Sequence, residues 1–115
     1  RVIEGGEGNT MIVRMWRGHI PAARKRAYVR YLEETGLADY RRTAGNRGAY
    51  LLCRDEGERV EITTLTFWDS VESIKAFAGE DYARARYYPR DAEFLLNFAE
   101  TSDHFEVAAA RPDGS

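Results

Sequence analysis

The 115-residue sequence is short of several features, and each shortage excludes something. It has one cysteine, Cys53, so no internal disulfide can form, and the chain fits a reducing, cytoplasmic setting. It has two histidines, His19 and His104, far apart, and neither HxxxH nor CxxC spacing, so no metal site is expected. Its apolar runs fall well short of the roughly 20 residues that a membrane span needs. Lys and Arg number 17 against 19 Asp and Glu, and a net charge of −2 gives no case for a nucleic-acid surface. "RVIEGGEGNT" at the start lacks an apolar stretch, so no signal peptide is expected. "AGNRG" (44–48) lacks the Lys-Ser/Thr pair and the strand-to-helix setting of a phosphate loop. "FAGED" (77–81) is no nucleotide motif either, and no flavin or nicotinamide fingerprint occurs, so no cofactor is expected.

The length suits one domain with a single core. That domain is expected over residues 11–110, between Gly-rich or loose tails at 1–10 and 111–115. "MIVRMWR" (11–17) alternates as a strand does, with Ile12, Arg14 and Trp16 on one face and Val13, Met15 and Arg17 on the other. "GHIP" is expected to break that strand, with Pro21 in the first turn of a helix over Ala22–Thr35 and Gly36 as its stop. "LADYRRTAG" is expected to be a short helical turn and a loop. "AYLLCRD" and Arg59–Trp68 predict a hairpin around "DEGE", Asp55–Glu58, with Cys53 as a small buried apolar residue. Ser70 predicts an N-cap for a helix carrying Val71, Ile74 and Phe77. Gly79 interrupts it, and Glu80–Tyr88 is expected to resume as helix until Pro89. "SDHFEV" predicts a last strand with His104 and Phe105 on opposite faces. The order β-α-β-β-α-β is the ferredoxin-like α+β arrangement: an antiparallel four-stranded sheet with helices on one face. Its other face also needs cover, and a second copy of the chain is the expected partner.

"MIVRMWRGHIP", "YLEETGLADYRRTAGNRGAYLL", "TLTFWDSVESIKAFAGEDYARARYYPRD" and "FLLNFAETSDHFEV" resemble the antibiotic biosynthesis monooxygenase family, a dimeric α+β-barrel family. The resemblance covers roughly Met11 to Ala109 and implies a pocket between helices and sheet within each subunit. It implies that Trp68, Trp16 and the end of the second helical region lie near one cavity. Trp68 reads either as core at a strand-to-helix junction or as a wall whose indole N–H meets a substrate oxygen. At most one of Tyr87 and Tyr88 should face a cavity if both are helical. His104 reads as a structural histidine or as a base for a phenol. His19 could instead rim the pocket. One of Arg14 and Arg17 should face the helix-side cavity or the dimer seam, where an enclosed arginine needs a carboxylate or a substrate anion; a surface or interface ion pair is the alternative.

Three functions follow from these residues and the resemblance. The first is a cofactor-independent monooxygenase on a phenol- or quinol-like small molecule. His104, Arg14 and Trp68 would be its catalytic residues. Trp16, Tyr28, Tyr87, Tyr88 and Arg86 would bind its substrate. The second is a non-enzymatic, dimeric protein that binds a small aromatic or hydrophobic ligand. The third is haem degradation. Against it, Tyr87 occupies the position of that group's iron-binding histidine, and Arg17 lies near that of its asparagine.

Overall fold

The structure, a computed structural model, describes residues 11–111, so the expected tail 1–10 and residues 112–115 lie outside it. Strand β1 spans Ile12–Pro21, beyond the expected end at Arg17. "GHIP" does not break it, because Gly18–Pro21 pair with Arg59–Ile62 across the neighbouring strand. Pro21 is the last strand residue, followed by a 3₁₀ turn, Ala22–Arg24, and by helix α1, Lys25–Glu34. Gly36 is not a stop. It opens helix α2, Gly36–Arg42, after an irregular Thr35, and it is buried.

Strands β2 (Asn46–Glu56) and β3 (Arg59–Trp68) form the expected hairpin. Helix α3 (Val71–Ala78) is capped by Ser70, whose Oγ accepts from the Ser73 N–H at 3.2 Å. Gly79 ends it at φ +94°, ψ 177°, a conformation that a side chain would strain. From there the expected helix over Glu80–Tyr88 is absent: residues 79–90 form an irregular crossing segment. Its backbone groups are committed elsewhere, with Ala85 N–H donating to the Glu100 carbonyl at 3.0 Å and Ser102 N–H to that of Ala83 at 2.7 Å. Such long-range pairing competes with the i→i−4 ladder a helix requires. Helix α4 (Asp91–Phe94) leads to β4 (Asn97–Phe98) and β5 (Asp103–Glu106).

The sheet order is β2-β3-β1, with β4 and β5 sharing the far edge of β1, and every pairing is antiparallel. This is the expected ferredoxin-like α+β sheet, with its fourth strand divided in two. The division sits where residues 99–102 turn aside to meet the crossing segment. Gly18 marks the β4 contact: a Cβ there would stand 2.8 Å from the Trp16 ring and 3.0 Å from the Asn97 carbonyl oxygen.

Alternation along β1 and β3 sends the even-numbered side chains to the helix side, where they form two clusters. One gathers Trp16, Ile20, Tyr28, Leu32, Val60, Ile62 and Phe94. The other gathers Ile12, Tyr40, Trp68, Ile74 and Phe77. Each fully buried aliphatic or aromatic chain contributes about 1.5–3 kcal/mol of transfer free energy. Cys53 is a correction: it is exposed, because β2 is the outer strand and no helix covers that part of it. On the sheet's other face Tyr50, Leu52 and Phe105 are 56%, 44% and 49% exposed. No helix among the described residues is long and apolar enough to cross a membrane.

Candidate functional site

A hollow lies where the two clusters meet, walled by β1, α1, α2, the end of α3 and the crossing segment. Its lining includes Arg14, Trp16, Tyr28, Tyr40, Phe77, Arg86, Tyr87, Tyr88 and Asp91. Its volume is about 40 Å³. That is room for a few waters, at roughly 10–15 Å³ each, and far below the roughly 300–1,000 Å³ of a pocket that encloses an organic ligand. A ring system therefore requires the walls to part.

Arg14 is the residue that alternation on β1 points inward, at 4% exposure. Its guanidinium donates to the carbonyls of Tyr82 (2.7 Å) and Arg84 (3.3 Å) and to His104 Nε2 (3.4 Å), all neutral acceptors. Burial, and secondarily the neighbouring Arg86, lowers its pKa, with an opposing influence from Tyr40. A buried cation held by neutral groups favours an incoming anion. Arg17, on the opposite face, is exposed.

His104 sits across from Arg14 on β5, with Tyr82 edge-on to its ring at 5.1 Å. It does not line the hollow. Because arginine only donates, the contact fixes the imidazole lone pair at Nε2 and the proton at Nδ1. Burial first, then Arg14, lowers its pKa, which keeps the ring neutral near pH 7.

Trp68 is placed in the core rather than on the wall. It is 0% exposed, its indole N–H donates to Thr66 Oγ1 at 2.8 Å, and it packs behind Tyr40 and Phe77. The indole on the wall is Trp16, which donates to the Tyr87 hydroxyl at 2.9 Å and the Ala99 carbonyl at 3.1 Å. Tyr87 and Tyr88 both line the hollow, against the expectation of at most one, because their segment is not helical. The Tyr87 hydroxyl donates to the Ala99 carbonyl. That of Tyr88 donates to Asp39, and burial followed by this bond raises its pKa.

Arg86 lies over the Phe77 and Tyr88 rings, donates to the Phe77 carbonyl at 2.8 Å and reaches Asp39 Oδ2 at 3.2 Å. Asp39, on α2, thus collects Arg86, Tyr88 and Arg42 at one spot, and its pKa is lowered, first by Tyr88. Sequence reasoning missed Asp39, Tyr40, Phe77 and Asp91. Tyr40 and Phe77 were legible as apolar-stripe positions. The two carboxylates resembled ordinary surface charges.

His19 lies outside the hollow. It, Glu56 and Glu61 bring one ligand atom each within 4.8 Å of one another. Arg54 reaches Glu61 at 2.9 Å and Arg59 reaches Glu56 at 3.2 Å, so these carboxylates are already engaged in a cross-strand charge network.

No protein-family model and no curated protein matches the chain. Solved structures do match. A Nitrosomonas europaea protein of unknown function aligns over 92% of this chain and 97% of its own, with TM-score 0.66 and 15% identity. The haem-degrader MhuD from Mycobacterium tuberculosis, with two haems bound in its active site, aligns over 88% and 99%, with TM-score 0.59 and 21% identity. The monooxygenase from the ActVA-Orf6 gene of Streptomyces coelicolor, bound to nanaomycin D, aligns over 98% and 96%, with TM-score 0.54 and 16% identity. Structures from Bacillus cereus and Chloroflexus aurantiacus that bear the antibiotic biosynthesis monooxygenase name match as well. The resemblance seen in the sequence therefore holds at the level of the fold: the chain has the α+β fold of these structures, several of which bear the antibiotic biosynthesis monooxygenase name. Identities this low speak for architecture and leave chemistry to the site.

Proposed function

We propose that the chain is a cofactor-independent monooxygenase acting on a small phenol- or quinol-like aromatic, held as its anion against Arg14. The observation that carries this reading is Arg14 itself, a buried guanidinium with neutral partners inside an aromatic-walled hollow. An electron-rich phenolate transfers one electron to O₂, and the ring radical and superoxide combine into a peroxide. The peroxide takes up a proton and loses water, leaving a carbonyl. One C–H and the phenol O–H of the substrate, plus O₂, thus give a quinone-type product with one new C=O, plus H₂O. The protein's part is to favour the anion, hold the rings and exclude water. Arg14 stabilises the anion and the peroxide oxygen, and Trp16, Tyr28, Tyr87 and Tyr88 flank the rings. Arg86 draws anions to the mouth. His104 orients Arg14 from behind, and Trp68 supports the floor. The fold is shared with a monooxygenase bound to nanaomycin D, which supports a small-molecule guest.

We also propose that a second copy covers the open sheet face, where Val13, Met15, Tyr50, Leu52, Phe67 and Phe105 stand together. The test of activity is oxygen uptake with 1,8-dihydroxyanthrone, expected at one O₂ per anthrone. Arg14→Met should weaken binding of the anion about 10- to 150-fold, the value of a hydrogen bond to a charged group. Binding without uptake would leave a ligand-binding module in place of an enzyme. A haem Soret shift with porphyrin loss would point to the third function instead.

A further inference from the structure

The hollow holds a buried carboxylate of its own. Asp91 is 5% exposed and lines the hollow. Its Oδ1 accepts from the Tyr28 hydroxyl at 3.0 Å and its Oδ2 from the Tyr88 N–H at 2.6 Å. Arginine, the usual partner of a buried carboxylate, is turned away: Arg86 faces Asp39, and Arg14 faces carbonyls and His104. Tyrosines surround the carboxylate: Tyr28 from α1, Tyr40 from α2, Tyr87 and Tyr88 from the crossing segment.

We propose that Asp91, working through the hydroxyl of Tyr28, is the proton acceptor for the phenol bound in the hollow. This inference rests on the oxygenation proposed above. The Tyr28 oxygen receives the phenol proton while its own proton passes to Asp91 Oδ1. The products are a phenolate, an unchanged tyrosine and a neutral carboxylic acid. When the peroxide forms, the proton returns by the same path, and the peroxide then breaks to carbonyl and water. Both halves balance in protons without any outside donor.

The electrostatics agree with the geometry. Burial pushes the Asp91 carboxyl above the usual carboxylate range, opposed by the bonds from Tyr88 and Tyr28. Burial and Asp91 both push the Tyr28 phenol well above its ordinary value, so it remains a protonated relay. A carboxylate raised toward neutrality is a better-matched acceptor for a phenol than one at its ordinary pKa. His104 is less suited, since its lone pair meets an Arg14 N–H rather than the hollow.

The Tyr88 contact also gives Asp91 a structural part, so the test must separate the two. Asp91→Asn preserves both contacts: its Oδ1 accepts from the Tyr88 N–H, and its amide donates to a rotated Tyr28 hydroxyl. Tyr28→Phe keeps the ring and removes the relay. Oxygen uptake on 1,8-dihydroxyanthrone is measured from pH 6 to above the probe's own ionisation, with the enzyme-free rate subtracted. Both variants should be about 100-fold slower than wild type at pH 6. The deficit should close to within threefold once the probe arrives already ionised. Rates within threefold of wild type at pH 6, or an equal deficit at every pH, would overturn the dyad. Should Asp91→Asn fail to fold by circular dichroism, Tyr28→Phe decides on the same criteria. No uptake by the wild type would remove the oxygenation itself, and the dyad with it.

Discussion

At the scale of single residues, Trp68 and Arg14 show how burial divides structure from chemistry. Both are almost wholly enclosed, on adjacent strands. Trp68 satisfies its only polar group within its own strand, at Thr66, so it supplies packing. Trp68→Phe is expected to cost about 2 kcal/mol, from lost volume and one hydrogen bond, as read by urea denaturation. His104 predicts a pH effect. Its folded pKa is lowered, so below the unfolded value of about 6.5 the unfolded chain takes up a proton that the fold resists. Stability is therefore full above that pH and falls as pH drops through it. His104→Gln, which keeps an acceptor for Arg14, should flatten the slope of the urea midpoint between pH 6.5 and 5. The strand pattern put Arg14 and Trp16 on one face of β1, but it revealed neither which face meets the helices nor the depth of Trp68, which stands at the end of β3 that Tyr40 and Phe77 cover.

At the scale of elements, the crossing segment is the wall without a helix or strand ladder of its own, and the one expected to part from the rest when a ring system enters. It contributes Arg86, Tyr87 and Tyr88 to a hollow of about 40 Å³, and Asp39 of α2 latches two of them. Asp39→Asn is expected to speed binding of 1,8-dihydroxyanthrone about tenfold by stopped flow, and to raise amide exchange over residues 80–90, by loosening a charge-assisted contact. Gly79→Ala should cost about 1–3 kcal/mol, since the backbone there is one that only glycine adopts readily. The same segment is where sequence reasoning failed most. Glu80, Ala83, Ala85 and Arg86 are good helix formers. The backbone of Ala83 and Ala85 is claimed by Ser102 and Glu100, a pairing with no local signature. β3, by contrast, was read to the residue, because Val60, Ile62, Thr64, Thr66 and Trp68 alternate without a break between a turn and a cap.

At the scale of the whole molecule, the sheet is finished on one face only. Tyr50 and Phe67 pack edge-on at 6.1 Å on the uncovered side, beside Leu52 and Phe105. A homodimer through that face is the expected state by sedimentation, and Leu52→Glu with Phe105→Glu should give monomers, since charges there would be desolvated by association. The need for a cover was legible from the strand pattern. The exposed Cys53 was not, because an outer strand alternates like an inner one.

The broken fourth strand links these scales. Where β4 stops and β5 has yet to begin, Ala99 accepts from the Trp16 indole, and Glu100 and Ser102 bond to Ala85 and Ala83. The wall of the chamber is thereby stitched to the hem of the sheet. A guest that forces the wall outward must loosen that hem, baring unpaired peptide groups to any passing strand. A protomer opened for its guest would be the one prone to stick to others, and the closed, empty one would stay solitary in that respect.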